Sequence, residues 1–200
     1  MVTIIDYGMG NLRSVQKACE FLGEECLITG EAKLVAKADK LILPGVGAFG
    51  QAAECLRQNG LDEAVIASAR GGTPLLGICL GMQLLFETSY EGGAFTGLGL
   101  IPGTITRFGG NIKCPHMGWN SITPMESRLF NGVRAGEYVY FVHSYRAAEV
   151  SEKWTAAVCS YGGEFTCAVA LKNVFGTQFH PEKSGAAGLK ILKNFLDMRG

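Results

Sequence analysis

Leu75-Leu76-Gly77-Ile78-Cys79-Leu80-Gly81-Met82-Gln83-Leu84-Leu85-Phe86 reads as a buried strand that turns sharply into a helix. Pro74 bounds the apolar run on one side, the strand ends at Gly77, and a helical segment begins just after Cys79. Cys79 has a glycine two residues before it and another two after it, the G-x-Nuc-x-G pattern of a nucleophile elbow with cysteine as nucleophile. The spacing has a steric cause. The turn is tight, the backbone at its apex is strained, and a Cβ at either flank would strike the neighbouring strand or helix. The helix that follows aims free N–H groups and its positive end at the sulfur, which favours thiolate over thiol. A structural cysteine in an ordinary strand-turn-helix would share this local pattern, so the later segments must decide.

Outward from the elbow, short apolar strands alternate with helical segments. Val2 to Asp6, Glu25 to Thr29 and Lys40 to Leu43 read as strands. Leu12 to Leu22, Gln51 to Arg57 and Leu61 to Arg70 read as helices. This alternation predicts an α/β fold with a doubly wound, mainly parallel open sheet, whose sites gather at the carboxyl ends of the strands. Past Glu91 frequent glycines separate β-prone runs. Thr104 to Phe108, Trp119 to Thr123, Glu137 to Val142, Trp154 to Tyr161 and Glu164 to Leu171 predict an added antiparallel region. Val174 to Phe179 is a further strand, and a helix from Ser184 to Met198 closes the chain. No Pro- or Ser-rich linker interrupts it, so one domain over residues 1–200 is expected.

Composition narrows the class. Of 200 residues, 48% are hydrophobic and 18% charged, which fits a globular chain with a full core. The 18 basic residues balance the 18 acidic ones, so no nucleic-acid or membrane surface is expected. The seven cysteines are odd in number and scattered, the N-terminus carries no secretory pattern, and no apolar run approaches the ~20 residues of a membrane span. A reducing, cytoplasmic setting is the expectation. Cys114-Pro115-His116 has no second pair at ligand spacing, so no zinc site is expected. Gly8-Met9-Gly10 resembles the start of a dinucleotide fingerprint, but Arg13 occupies the third glycine's place.

The second chemical segment is His180-Pro181-Glu182, between a strand and a helix. Pro181 biases His180 toward an extended backbone, where side chains two apart share a side. Glu182 can then accept from one imidazole nitrogen and leave the other facing a nucleophile. Alone this is a surface turn. With a cysteine elbow in the same fold class it completes a Cys-His-Glu triad.

Gly77-Ile78-Cys79-Leu80-Gly81-Met82-Gln83 together with Phe179-His180-Pro181-Glu182 resembles the class I (triad) glutamine amidotransferases. Within that family, Asp6 to Ser14, Leu43 to Phe49, Pro115 to Asn120 and Tyr140 to Tyr145 are similar to glutaminase subunits of imidazole glycerol phosphate synthases in histidine biosynthesis. The resemblance covers essentially the whole chain. It implies that the Cys79 thiolate attacks the side-chain amide of glutamine, that His180 moves the protons, and that glutamate and ammonia are released. It implies an oxyanion hole from the backbone N–H of Leu80 and of Val46, and glutamine contacts at Gly47, Gln83, Glu91, Ser144 and Tyr145. The glycines around Val46 lead to the expectation that this hole completes only when partner and substrate bind. The implied partner is a (β/α)8-barrel cyclase, which uses the ammonia to make imidazole glycerol phosphate and aminoimidazole carboxamide ribotide. Asn11, Arg13, Trp119, Tyr140 and Lys183 are the expected facing residues. No cofactor or metal is implied, and His116 and His143 are expected to be structural or interface residues. Competing expectations are a glutaminase of another synthase, a cysteine peptidase or γ-glutamyl hydrolase that acts alone, and a non-catalytic regulatory subunit.

Overall fold

The computed structural model describes residues 1–198. The expected domain runs to Gly200, whose last two positions, Arg199 and Gly200, lie outside the described residues. The first half alternates strand and helix: β1 (Val2–Ile5), α1 (Leu12–Phe21), β2 (Cys26–Thr29), a single turn α2 (Ala32–Val35), β3 (Leu41–Gly45), α3 (Phe49–Gln58), α4 (Leu61–Arg70), β4 (Leu75–Cys79) and α5 (Leu80–Leu84). The second half is mostly β: β5 (Phe86–Ser89), β6 (Phe95–Thr96), β7 (Ile101–Arg107), β8 (His116–Pro124), β9 (Glu137–His143), β10 (Tyr145–Ala148), β11 (Thr155–Ser160), β12 (Glu164–Leu171) and β13 (Val174–Thr177), before a closing helix α6 (Gly185–Leu196).

A nine-stranded sheet has the order β2-β1-β3-β4-β13-β12-β11-β8-β9. From β2 to β13 its neighbours run parallel, and from β13 to β9 they run antiparallel. The period-two alternation of strand side chains divides the core between the two faces. Ile4, Ile42, Leu76 and Ile78 join Val15 and Cys19 of α1 and Ile191, Leu192 and Phe195 of α6 on one face. Ile5, Leu41, Leu43 and Leu75 join Phe49 and Leu56 of α3 and Leu61 and Val65 of α4 on the other. Helices on both faces of the five parallel strands, β2, β1, β3, β4 and β13, make the doubly wound fold that the alternation predicted, and the antiparallel strands extend it.

Two features depart from the sequence-based expectation. The helix after Cys79 stops at Leu84, and Phe86–Ser89 turns into a strand of a separate four-stranded sheet, β10-β7-β5-β6. The apolar run continues unbroken through this change, because both elements bury the same kind of side chain: Leu84, Leu85 and Phe86 are all wholly buried. In addition, the nine-stranded sheet curls. Its edge strand β9 returns to the segment leaving β13, where the His180 N–H donates to the Tyr140 carbonyl at 3.0 Å. Among the described residues no helix is long and apolar enough to cross a membrane, and every cysteine is free.

Candidate active site

Three adjacent parallel strands deliver the site at their carboxyl ends. Gly45 of β3 lies opposite Cys79 of β4, and Thr177 of β13 lies opposite Ile78. Cys79 adopts φ 55° and ψ −110°, a strained left-handed backbone for a side-chain-bearing residue, and α5 starts at the next residue. The flanking glycines permit this. A Cβ on Gly81 would stand 1.7 Å from the Leu43 carbonyl oxygen, and one on Gly77 would stand 2.6 Å from that of Gly81. The α5 helix is only five residues long, so what it offers the sulfur is its unpaired first-turn N–H groups rather than a long dipole.

His180 leaves β13 in extended conformation and enters a one-turn 3-10 helix, Pro181–Lys183. Its Nδ1 lies 2.8 Å from Glu182 Oε1, and the two side chains are only 3% and 1% exposed. Its Nε2 is buried with no hydrogen-bond partner, and so is Glu182 Oε2. A buried carboxylate with a single partner is best compensated by imidazolium. Burial pulls His180 down, but the Cys79 and Glu182 side chains outweigh it and hold it up at about 9. Ser184 fixes the backbone here: its hydroxyl donates to the His180 carbonyl at 2.6 Å and accepts from the Tyr140 N–H at 2.9 Å.

Cys79 and His180 open into one pocket of about 390 Å³, lined also by Val46, Gly47, Leu80, Gln83, Glu91, Ser144 and Tyr145. Every residue expected at the triad, the oxyanion hole or the glutamine contacts therefore lines this pocket, except Glu182, which stands behind His180. A larger cleft of about 510 Å³, beside Arg146, Glu149 and Glu164, contains no cysteine or histidine. Val46 is 43% exposed, next to Gly47 at φ 99°. Glu91 is more than a loop carboxylate, since its Oε2 accepts from the Phe49 N–H at 2.9 Å and caps α3.

The expected partner residues lie outside the pocket. Trp119 and Tyr140 are cross-strand partners with ring centroids 6.1 Å apart. Alternation puts Met117 and Trp119 of β8 and Tyr138, Tyr140 and Val142 of β9 on one face, and Met117, Trp119 and Tyr138 are all more than half exposed. Val142 belongs to the pocket wall, so this apolar face runs into the pocket mouth. Asn11 caps α1 through Ser14 N–H at 3.4 Å, Arg13 is exposed in its first turn, and Lys183 is exposed on the one-turn helix against which α1 packs.

The sequence reading missed two participants, Gln178 and Tyr7. Gln178 is wholly buried beside the sulfur, its Nε2 3.8 Å from Cys79 Sγ. The Tyr7 hydroxyl lies unpaired beneath the Gly45 backbone, and burial, then the nearby Cys79 and Cys55, raise it well above the usual phenol range. His143 and His116, expected as structural or interface residues, form a buried pair at 3.1 Å, and burial lowers them to about 3 and about 4. The available signal was a polar Thr177-Gln178 pair at the end of an otherwise apolar strand, just before the histidine.

A family model described as Glutamine amidotransferase class-I matches residues 3–198. The imidazole glycerol phosphate synthase subunit HisH of Syntrophotalea carbinolica is 50% identical, over 99% of this chain and all of its own length. The protein of the same name from Caldanaerobacter subterraneus subsp. tengcongensis is 49% identical, over 99% of this chain and 98% of its own. A structure of PurLQS from Thermotoga maritima superposes with a TM-score of 0.79 at 21% identity, covering 98% of this chain and 97% of its own, and a glutamine amidotransferase crystal structure with 0.77 at 20%, covering the same shares. These two likenesses speak to the fold.

Proposed function

The chain belongs to the class-I glutamine amidotransferases, and we propose how it works among them. It is a glutamine-hydrolysing enzyme subunit of imidazole glycerol phosphate synthase, in histidine biosynthesis. The whole chain acts as one amidotransferase domain.

The observation that carries the mechanism is the buried His180–Glu182 pair with Nε2 left unpaired in the Cys79 pocket. With the proton held on His180 Nε2, the Cys79 thiolate attacks the side-chain carbonyl carbon of glutamine. The resulting oxyanion is met by the N–H groups of Leu80 and Val46, each worth roughly 10²–10³ in kcat. The imidazolium protonates the leaving nitrogen and ammonia departs. Water, deprotonated by the same Nε2, then attacks the γ-glutamyl thioester; the C–S bond breaks, glutamate is released, and the thiolate–imidazolium pair is restored. Gly47, Gln83, Glu91, Ser144 and Tyr145 hold the glutamine. The exposed Val46 beside left-handed Gly47 supports a loop that rearranges to complete the hole.

Ammonia released into water would be protonated and lost as a nucleophile, so it needs a sheltered path to an acceptor site. The relatives are named as subunits of a synthase. The partner in this reading is the barrel cyclase subunit, seated on Met117, Trp119, Tyr138 and Tyr140 with Asn11, Arg13 and Lys183 at the rim. Continuity of that apolar face with the pocket wall supports the placement. Rapid acid quenching of the chain with glutamine, followed by peptide mass mapping, tests the chemistry. A γ-glutamyl adduct on Cys79 is expected, and an adduct elsewhere, or turnover by Cys79→Ala, would overturn it.

A further inference from the structure

We propose that Gln178 is a further catalytic residue, a neutral donor that holds the Cys79 sulfur as thiolate and in line for attack. The inference rests on the reading of Cys79 as nucleophile. Gln178 leaves β13 two residues before His180, its N–H paired with the Cys167 carbonyl at 2.8 Å, and its side chain is wholly buried. Its Nε2 faces Cys79 Sγ at 3.8 Å, and its Oε1 accepts from Gln83 Nε2 at 3.0 Å.

A terminal amide can be turned end for end, so the network around it must settle which end meets the sulfur. Gln83 Nε2 also lies 3.2 Å from the Tyr145 carbonyl oxygen, which only accepts. The Gln83 end at that point is therefore its NH2. The Gln178 atom receiving the other hydrogen must then be its oxygen, which leaves the Gln178 NH2 for the sulfur. The anchor is held from a second side, because His143 Nδ1 lies 2.7 Å from the same Tyr145 carbonyl, and His116 Nδ1 donates to His143 Nε2. A backbone carbonyl thus dictates, through two amides, a donor at the nucleophile.

The sulfur's contacts discriminate between its protonation states. As a thiol, Cys79 donates to the Val142 carbonyl at 3.9 Å. As a thiolate it has nothing to donate, and the Gln178 N–H is the contact that strengthens. When the proton passes from Sγ to His180 Nε2, the sulfur exchanges the Val142 carbonyl for the Gln178 amide. A neutral donor achieves this without adding a second cation beside the imidazolium.

The test is the rate at which iodoacetamide alkylates Cys79 in the full chain as pH is varied, read by peptide mass mapping so that the other cysteines do not contribute. Gln178→Glu keeps the size and the acceptor for Gln83 but sets a carboxylate against the sulfur. Gln178→Met removes donor and acceptor. Both variants are expected to move the half-maximal pH of alkylation up by about one unit or more, with Gln178→Glu moving further, and glutaminase kcat/KM at neutral pH is expected to fall about tenfold. A side chain that only fills space would leave the midpoint in place in Gln178→Met, and an unmoved midpoint in that neutral variant overturns the proposal. In the unmutated chain, the 15N-labelled side-chain amide of Gln178 is expected to shift across the same pH range, and a flat trace overturns it without any variant. Full activity in Cys79→Ala would instead overturn the underlying nucleophile assignment.

Discussion

His180 Nδ1 lies 2.8 Å from Glu182 Oε1, the carboxylate's other oxygen has no partner, and both side chains are almost completely buried. Burial pulls the imidazolium down, and Cys79 together with Glu182 holds it up at about 9. In the proposed mechanism that imidazolium protonates the leaving nitrogen, so kcat/KM is expected to fall as pH rises through about 9. Glu182→Gln removes the charge partner and is expected to bring this alkaline limb down by about one pH unit or more, read from pH profiles of glutamate release. Linkage gives a second consequence of the same sign. Because folding raises His180 above its ordinary 6.5, its contribution to stability is full below pH 6.5 and disappears as pH rises through about 9.

The elbow glycines are expected to be intolerant for a steric reason. Gly81→Ala forces a Cβ to 1.7 Å from the Leu43 carbonyl, and the colliding atoms are backbone that cannot move aside. A cost of about 3 kcal/mol or more is expected in denaturant unfolding, at or beyond the upper end of ordinary overpacking. Gly109→Ala has open space around it and no left-handed φ, and is the matched control with an effect near zero.

Ser184 joins the two segments that bring β9 to the triad. Ser184→Ala leaves the Tyr140 N–H and the His180 carbonyl without their hydroxyl partner, so a loss of about 1–3 kcal/mol is expected in thermal or denaturant unfolding. Its kcat is expected to fall as well, since His180 loses one of its backbone anchors.

Tyr7 predicts the opposite sign. Its hydroxyl is buried and unpaired in this structure, so Tyr7→Phe removes an uncompensated polar group. The variant is expected to unfold at higher denaturant concentration, with a gain of about 1 kcal/mol.

Trp119 lies on the apolar face outside the pocket, more than half exposed. Trp119→Ala is expected to weaken cyclase binding by about 2 kcal/mol, the scale of an interface anchor, while leaving the fold of the isolated chain intact. Titration calorimetry of the two subunits, with circular dichroism of the free variant, checks both halves.

Much of this was legible from residues whose chemistry is local. Gly77 and Gly81 announce the Cys79 turn because only a missing Cβ fits there, and His180-Pro181-Glu182 carries its hydrogen bond within three residues. The strands β1 and β4 and the helix α4 follow from apolar runs and periodicity. The end of α5 was not legible, because Leu84, Leu85 and Phe86 are equally apolar whether they sit on a helix or a strand. Gln178 was not legible either. Its proposed role depends on Cys79 99 positions away and Gln83 95 positions away, and the polar Thr177-Gln178 pair that marks it locally does not say what it meets. The His116–His143 pair comes from the cross-strand register of β8 and β9, and the Tyr140 contact to His180 from the return of β9 to the segment after β13, neither of which a local rule foretells.

The most direct measurement is glutamate release from glutamine by the purified chain, alone and with a cognate barrel cyclase plus its ribonucleotide ligand, with Cys79→Ala as control. The account predicts low activity alone, a large rise in the complete mixture, and none in the variant. Full activity of the lone chain, unmoved by the cyclase, or activity surviving in Cys79→Ala, would contradict it.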